Sequence, residues 1–277
     1  MVCSMYYVGG ERMKFMDEME SALNNVENDF QKLEHLVEVE KAIRSITPHR
    51  FSINLAAFKK YMPEIASFLE NYQPKSLKII ATSSGVANVI DPETGVPFYG
   101  EDPFDDCLKQ VEQFIDNPHF SNISYPENEE NPLNFIHTSY MNKLWGTYLE
   151  YDGMHESLHH IPNYYPTLLM FGIGLGYQLG YLYERVKVEL LYIVEPNCDV
   201  FYASVCCFDW ASLLYYIDKE GLEININVGC RFEEFTHDFI NSLFSKGNYR
   251  CSRVALYQHY PSTALTEVIT NLEKNTI

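Results

Sequence analysis

The sequence is poor in basic residues. Its 277 residues include 20 Lys and Arg against 38 Asp and Glu, which gives a formal net charge of −18. Nucleic-acid binding needs a basic surface that contacts phosphates, and no cluster of Lys or Arg is visible along the chain. The same acidity disfavours binding to an anionic membrane surface. We therefore expect neither nucleic acid nor a membrane among the partners.

The sequence also lacks a long apolar run. The longest, from Leu168 to Tyr177, is about half the roughly 20 residues that a membrane-spanning helix requires. No basic stretch followed by an apolar core marks a secretory signal near the N-terminus. The 7 cysteines are odd in number and include no Cys-x-x-Cys pair, which disfavours a disulfide framework or a zinc ribbon. These absences predict a cytoplasmic protein with reduced thiols.

Apolar residues, in contrast, make up 46% of the chain, which is typical of a globular protein with a substantial core. Changes of pattern divide the sequence into three parts. We expect a helical and mixed α/β segment over 1–130, a connecting segment over 131–165 and a Rossmann-like domain over 166–277. The predicted fold class is thus α/β, with a mostly parallel sheet in the C-terminal half.

A long helix is predicted near the N-terminus. Apolar residues recur there at alternating steps of three and four, which makes three heptads, at Met16, Met19, Leu23, Val26, Phe30, Leu33 and Val37. We expect the helix to end at Thr47-Pro48, since a residue before proline resists the α conformation. Two interpretations remain open. The apolar stripe packs on the chain's own domain, or it forms a coiled-coil seam for a partner and allows oligomerisation.

The rest of the first part predicts a small mixed segment. Residues 77–82 and 86–90 have the composition of two strands joined by a loop that contains Gly85. An amphipathic helix is expected over 104–114. The polar stretch over 125–132 indicates a linker or an exposed loop.

Strands and helices alternate in the third part. Strands are expected over 167–171, 190–194, 223–228 and 253–257. Helices are expected from the turn that follows the first strand to residue 185, over 199–217 and over 232–244. This spacing implies right-handed crossovers between parallel strands. It predicts the Rossmann-like sheet.

A glycine-rich turn follows the first of these strands. Gly172, Gly174 and Gly176 form a Gly-x-Gly-x-Gly motif, in which backbone without Cβ atoms lets a ligand approach and the next helix offers free N–H groups. Glu195 ends the next strand, where an acidic residue commonly accepts hydrogen bonds from ribose hydroxyls. These four residues are the candidate cofactor site, for a nucleotide-type ligand such as S-adenosylmethionine or a nucleotide-sugar. The alternative is a structural turn, in which the glycines permit close packing and Glu195 caps the helix that begins near Pro196.

Two further motifs are weaker indications of a functional site. His155, Glu156 and His159 match the spacing of zinc proteases, but a following proline leaves barely two helical turns, so we expect a solvated turn and no metal site. Cys206-Cys207 lies in an apolar helical run without nearby basic residues, which is typical of buried thiols. No catalytic residue is assigned.

The motifs of the third part resemble those of a known family. The stretches Thr167–Tyr177 and Leu191–Asn197, with Val200-Phe201, are similar to the N-terminal region of the motility-associated factor (Maf) proteins, and Asn131–Asn134 and Tyr257–Pro261 agree with this resemblance. These bacterial proteins are associated with flagellin glycosylation, as transferases of nonulosonic (sialic-like) acids from nucleotide-activated donors.

The resemblance implies a role and also limits it. In that family a transferase domain with its own Gly-rich motif, containing Gly-Pro-Ser, follows this region, and no such motif is present here. The expected function is therefore a non-catalytic scaffold or recognition region of a larger Maf-type protein, with flagellin or its own transferase domain as partner. The alternative is an S-adenosylmethionine-dependent, methyltransferase-like enzyme that uses the glycine turn and Glu195.

Overall fold

The computed structural model describes residues 5–122, 134–150, 159–229 and 253–263, with residues 235, 239, 265–267 and 270. The helices are α1 (Met5–Tyr61), α2 (Pro63–Asn71), α3 (Pro103–Asp116), α4 (Ile136–Glu150), α5 (Tyr177–Arg185), α6 (Cys198–Cys207) and α7 (Trp210–Lys219). The strands are β1 (Lys78–Ala81), β2 (Ala87–Ile90), β3 (His119–Asn122), β4 (Tyr164–Phe171), β5 (Lys187–Glu195), β6 (Glu223–Val228) and β7 (Arg253–Gln258).

A five-stranded sheet has the order β3-β7-β4-β5-β6. β4 pairs with β5 and β7, and β5 pairs with β6, all in parallel, whereas β3 runs antiparallel to β7. α5 connects β4 to β5, and α6 and α7 connect β5 to β6. β4 and β5 have nearly continuous apolar sequences because both faces of these central strands are buried. The structure confirms the predicted α/β class with a Rossmann-like, mostly parallel sheet.

The strands of the third part lie where the sequence predicts them. β6 matches its predicted bounds, and β4 and β5 are each longer than predicted. The helix predicted over 232–244 falls mostly outside the described residues, although Phe235 and Phe239 are helical and buried. β3 and α4 are additional elements that the pattern did not predict, and β3 joins the main sheet from within the N-terminal segment.

The prediction that Thr47-Pro48 ends the first helix is wrong, because α1 continues through Pro48 to Tyr61. A proline inside a helix removes one backbone hydrogen bond and costs about 3 kcal/mol. The segment after the proline is packed into the core, where Asn54 and Phe58 are both fully buried. Burial of this segment offsets the local cost, so tertiary packing decides where the helix ends.

The single helix predicted over 199–217 is also wrong, because it consists of two helices, α6 and α7, bent by 86°. Asn54 of α1 lies at the break. Its Nδ2 donates to the carbonyls of Val205 and Phe208, both at 2.7 Å, and its Oδ1 accepts from the Ala211 N–H at 2.9 Å. The Asp209 side chain caps the start of α7. These side chains satisfy the backbone groups that a continuous helix would have paired internally.

The small mixed segment has the predicted strands and helix. β1 and β2 form an antiparallel pair with Lys78 opposite Ile90 and Ala81 opposite Ala87. α3 begins after Asp102, whose side chain accepts hydrogen bonds from backbone N–H groups of its first turn.

Several apolar side chains of α4 are exposed, among them Ile136 at 75%, Tyr140 at 64% and Leu144 at 64%. No single helix in the described part of the chain is long and apolar enough to cross a membrane. The bent pair of α6 and α7 meets the requirements of length and composition when the two helices are taken together.

Candidate functional site

The candidate site lies where the strand order of the main sheet reverses. β5 and β6 lie on one side of β4, and β7, which follows them in sequence, lies on the other. Ligands of open α/β sheets bind beyond the carboxyl ends of the strands at such a reversal. Phe171 of β4 is paired with Gln258 of β7, and the His259 N–H donates to the Phe171 carbonyl at 2.9 Å. The residues that follow the two strands therefore meet at this crevice.

The three predicted glycines form the turn between β4 and α5. Gly172, Gly174 and Gly176 have φ angles of +83°, +52° and +89°, in the left-handed region that favours glycine. Side chains of the same protein fill the space beside them. A Cβ on Gly172 would collide with the ring of Tyr260, and one on Gly174 would lie 2.5 Å from His259 Nε2. The side-chain rings of Tyr260 and His259 therefore fill the space beside the turn.

The structure brings Glu195 against this turn, with its side chain fully buried. Its Oε2 accepts from the Ile173 N–H at 2.8 Å, and its Oε1 accepts from the Asn197 N–H at 2.9 Å and from the Tyr260 hydroxyl at 2.5 Å. Burial raises the pKa of Glu195 to about 7, while the hydrogen bonds act in the opposite direction. The cap of α6 is Asn197 and not Glu195, which instead binds the N–H of that cap.

A second buried network joins the turn to the segment between β2 and α3. The Tyr99 hydroxyl accepts from the Leu175 N–H at 2.9 Å and lies 2.7 Å from His259 Nε2. On the other side of the imidazole, the Tyr257 hydroxyl lies 3.3 Å from Nδ1 and donates to Gln110 Oε1 at 2.7 Å. Gln110 Nε2 in turn donates to the His259 carbonyl at 2.7 Å.

This network defines the protonation of the histidine. The single hydroxyl proton of Tyr257 is donated to Gln110, so Tyr257 can only accept from His259. Nδ1 therefore carries the ring proton, and Nε2 accepts from Tyr99. Burial lowers the pKa of His259 to about 3, which keeps the imidazole neutral at physiological pH.

The loop before β1 is bound at the same edge of the sheet by Asp199, in the first turn of α6. Its buried carboxylate accepts hydrogen bonds from the Tyr72 hydroxyl at 2.5 Å, the Ser76 N–H and hydroxyl at 2.7 and 2.8 Å, and the Lys75 and Leu77 N–H groups at 3.0 and 3.2 Å. Burial alone would raise the pKa of Asp199, but these hydrogen bonds outweigh it and hold the pKa well below its usual range.

A cavity of about 210 Å³ lies beside the histidine network. Its lining includes Phe98, Tyr99, Asp106, Gln110, His259 and Tyr260. Ligand pockets usually measure about 300–1,000 Å³, so this space is smaller than a typical ligand pocket. The polar groups of Tyr99, Gln110 and His259 are already paired within the protein.

The thiols of Cys206-Cys207 lie in α6. Burial raises the pKa of the Cys206 thiol to about 12, which makes it a poor nucleophile. Lys187 begins β5 at the opposite, amino-terminal edge of the sheet and pairs with Glu220 at 2.9 Å. His155 and Glu156 lie outside the described residues. Within the ranges that are described, no group of three or more His, Cys, Asp or Glu could hold a metal ion.

The sequence pattern does not identify Tyr99, His259 or Asp199 as parts of the site. The hydrogen bond between Tyr99 and His259 joins positions 160 residues apart, so no local pattern reveals it. His259 lies within the Tyr257–Pro261 stretch, whose only signal is the family resemblance. Asp199 gives no specific signal, because an acidic residue in the first turn of a helix is usually explained by its favourable interaction with the helix dipole.

The chain matches the family model described as the glycosyltransferase Maf N-terminal domain over residues 50–276. Among solved structures it is similar to that of the MAf glycosyltransferase from Magnetospirillum magneticum AMB-1, with 23% sequence identity and a TM-score of 0.62. The similarity covers 83% of this chain but 35% of the solved one. At this identity the likeness concerns the fold alone. No curated protein matches the chain.

Proposed function

Because the chain belongs to the family of glycosyltransferase Maf N-terminal domains, we propose that it is the non-catalytic scaffold or recognition region of a protein that glycosylates flagellin. The similar region spans 35% of the solved MAf glycosyltransferase, so most of that enzyme lies outside it. We place transfer of the nonulosonic acid in a part of the protein beyond this region. The proposed partners are flagellin and the transferase domain, and the proposed location is the cytoplasm.

One observation carries the non-catalytic part of the proposal: the protein's own groups occupy the crevice at the strand reversal. The Glu195 carboxylate, expected to hold a ribose, accepts its hydrogen bonds from Ile173, Asn197 and Tyr260. A nucleotide would have to displace the Tyr260 ring from Gly172 and break its bond to Glu195. This geometry favours a turn built for packing.

The attachment of the N-terminal segment supports a scaffold role. Asp199 binds the loop before β1, and Tyr99 binds both the glycine turn and His259. The bonds to Asp199 are made to a buried charged group, and the bonds of Tyr99 belong to a buried network whose members pair with one another. Such networks rigidify a core. A rigid platform suits a region that positions a partner for chemistry elsewhere.

A nucleotide-type ligand, S-adenosylmethionine or a nucleotide-sugar, is the alternative at the same crevice. The place of Glu195 at the end of β5, beside the turn and at the strand reversal, favours it. This alternative requires Tyr260 to rotate away before a ligand can reach Glu195.

Catalysis can be tested by intact mass spectrometry of flagellin from the same organism. We expect no mass increase when flagellin is incubated with the purified chain and a cytidine-monophosphate-activated nonulosonic acid. An increase would overturn the non-catalytic assignment. Binding of the chain to immobilised flagellin and to a Maf transferase region tests recognition, and binding to neither would reject that role.

A thermal-shift experiment separates the scaffold from the methyltransferase-like alternative. With S-adenosylmethionine or cytidine-monophosphate sugars, we expect no ligand-specific rise in the melting temperature of the wild-type chain. A rise that disappears in Glu195→Gln, but persists in the exposed control Glu93→Gln, would favour the alternative.

A further inference from the structure

The apolar stripe of α1 is not covered where the structure describes it. The exposed fractions of Leu33 and Val37 are 60% and 50%, although both continue the heptad stripe that begins at Met16. Among the described side chains of α1, full burial is first reached at Asn54. The chain's own domain therefore leaves this part of the stripe available to another molecule.

The e flank of the stripe is acidic, whereas the g positions are Ala22, Asp29 and Leu36. The seam positions a and d are Met16, Met19, Leu23, Val26, Phe30, Leu33 and Val37, and the adjoining e positions are Glu20, Glu27 and Glu34. Residues 16–38 contain seven acidic residues and one lysine. Because charges at e and g set partner choice in coiled coils, this acidity selects the kind of helix that can pair with the stripe.

A second copy of the chain does not satisfy this pattern. In a parallel pair, Asp29 at a g position would face Glu34 at the e position of the other copy. In an antiparallel pair, the glutamates at e would face one another. Like charges across such a seam disfavour pairing and act against self-association.

We propose that residues 16–37 of α1 dock an amphipathic helix of another protein, whose apolar seam is flanked by Lys or Arg. Its apolar residues would cover Leu33, Val37 and the rest of the stripe. Its basic residues would pair with the glutamates at e. The proposal goes beyond the proposed function, since it depends neither on flagellin nor on where the transfer takes place.

Two synthetic peptides of three to four heptads test the proposal. Both carry Ile at a and Leu at d, and one has Lys at e and g where the other has Glu. Fluorescence anisotropy with the full chain measures the dissociation constant of each. We expect the Lys peptide to bind at least tenfold more tightly, which is about 1.4 kcal/mol. Raising the ionic strength to about 1 M, where the Debye length is about 3 Å, should reduce this difference.

Matched variants assign the preference to the seam. Neutralising the e positions should abolish the preference for the Lys peptide, in a triple variant with Glu20→Gln, Glu27→Gln and Glu34→Gln. Neutralising charges away from the seam changes the net charge equally and should leave the preference in place, in a triple variant with Asp17→Asn, Glu18→Gln and Glu38→Gln. Leu33→Asp with Val37→Asp should abolish binding, while circular dichroism and the melting temperature show that the chain is folded.

Three outcomes would overturn the proposal. Equal binding of the two peptides would mean that the acidic flank does not select a partner. Binding of neither peptide would mean that the stripe is not a helix-docking surface. A concentration-dependent dimer in sedimentation equilibrium, dissolved by Leu33→Asp, would assign the stripe to a second copy of the chain.

Discussion

Titration of Glu195 should make the protein less stable as the pH rises, and Glu195→Gln should remove this part of the pH dependence. Burial raises the pKa of Glu195 to about 7, from an ordinary value of 4.5. A group whose pKa is higher in the folded than in the unfolded state contributes stability that is fully present below the unfolded pKa. That stability is lost as the pH rises through the folded pKa. The loss should therefore develop between these two pKa values.

The magnitude follows from the two pKa values. The linkage relation gives a loss of about 2.5 kcal/mol in the free energy of unfolding between about pH 5 and about pH 8. Solvent screening does not reduce this figure, since the side chain is fully buried. The amide of the Glu195→Gln variant has a similar shape and does not titrate. It cannot accept every N–H that the carboxylate accepts, which lowers stability by an offset independent of pH.

Urea unfolding of both proteins at several pH values between about 5 and 8 measures the effect. The free energy of unfolding of the wild type, minus that of Glu195→Gln, should fall by about 2.5 kcal/mol across this range. His259, with its lowered pKa, affects both proteins alike and cancels in the difference. The exposed control Glu93→Gln should follow the wild type. A difference that is constant within about 0.5 kcal/mol would refute the assignment of a titrating, buried carboxyl to the turn.

Three further substitutions test the packing of the site. Asp199→Asn should lower the free energy of unfolding by about 2–4 kcal/mol, because an amide nitrogen cannot accept the N–H bonds that hold the loop before β1; urea midpoints equal to those of the exposed control Asp218→Asn would contradict this. Tyr99→Phe should cost about 2 kcal/mol in the same assay, since a buried N–H of the glycine turn loses its acceptor, and an unchanged midpoint would exclude that bond. Gly174→Ala should lower the melting temperature more than Gly95→Ala, where φ is +68° and nothing lies within 4 Å. Strain alone costs about 1–2 kcal/mol at either glycine, so equal melting temperatures would mean that the turn is not tightly packed.

The parallel strands could be predicted because their signal is local. β5 and β6 lie in the sheet as neighbours with Leu190 opposite Glu223, and each follows a helical segment in sequence. A short apolar run bounded by turns, as in β5, indicates a strand buried on both faces, and the alternation of apolar and polar residues in β6 indicates a half-buried strand. The glycine turn directly follows β4 and Glu195 ends β5, so the prediction of these strands also places both features.

The helix ends of α1 and α6 could not be predicted, because long-range packing decides them. Pro48 is a local signal for an end, yet the burial of Phe58 downstream outweighs it. The break after Cys207 is fixed by Asn54, which lies about 150 positions away. Neither effect leaves a trace in the residues next to the boundary. The same limit hid Tyr99 and His259, whose partners come from distant segments.

A Rossmann-like sheet leaves polar groups at its strand reversal that need partners. Here the Ile173 N–H is bound by Glu195 and the Leu175 N–H by Tyr99, so groups that could bind a phosphate in other proteins are paired within the chain. A buried N–H without an acceptor costs about 1–3 kcal/mol, and a ligand that displaced these side chains would have to restore each bond. Tyr99, from the segment between β2 and α3, thus lies at the crevice where open α/β sheets bind ligands. This supports a region that contributes a rigid surface, with the chemistry performed elsewhere.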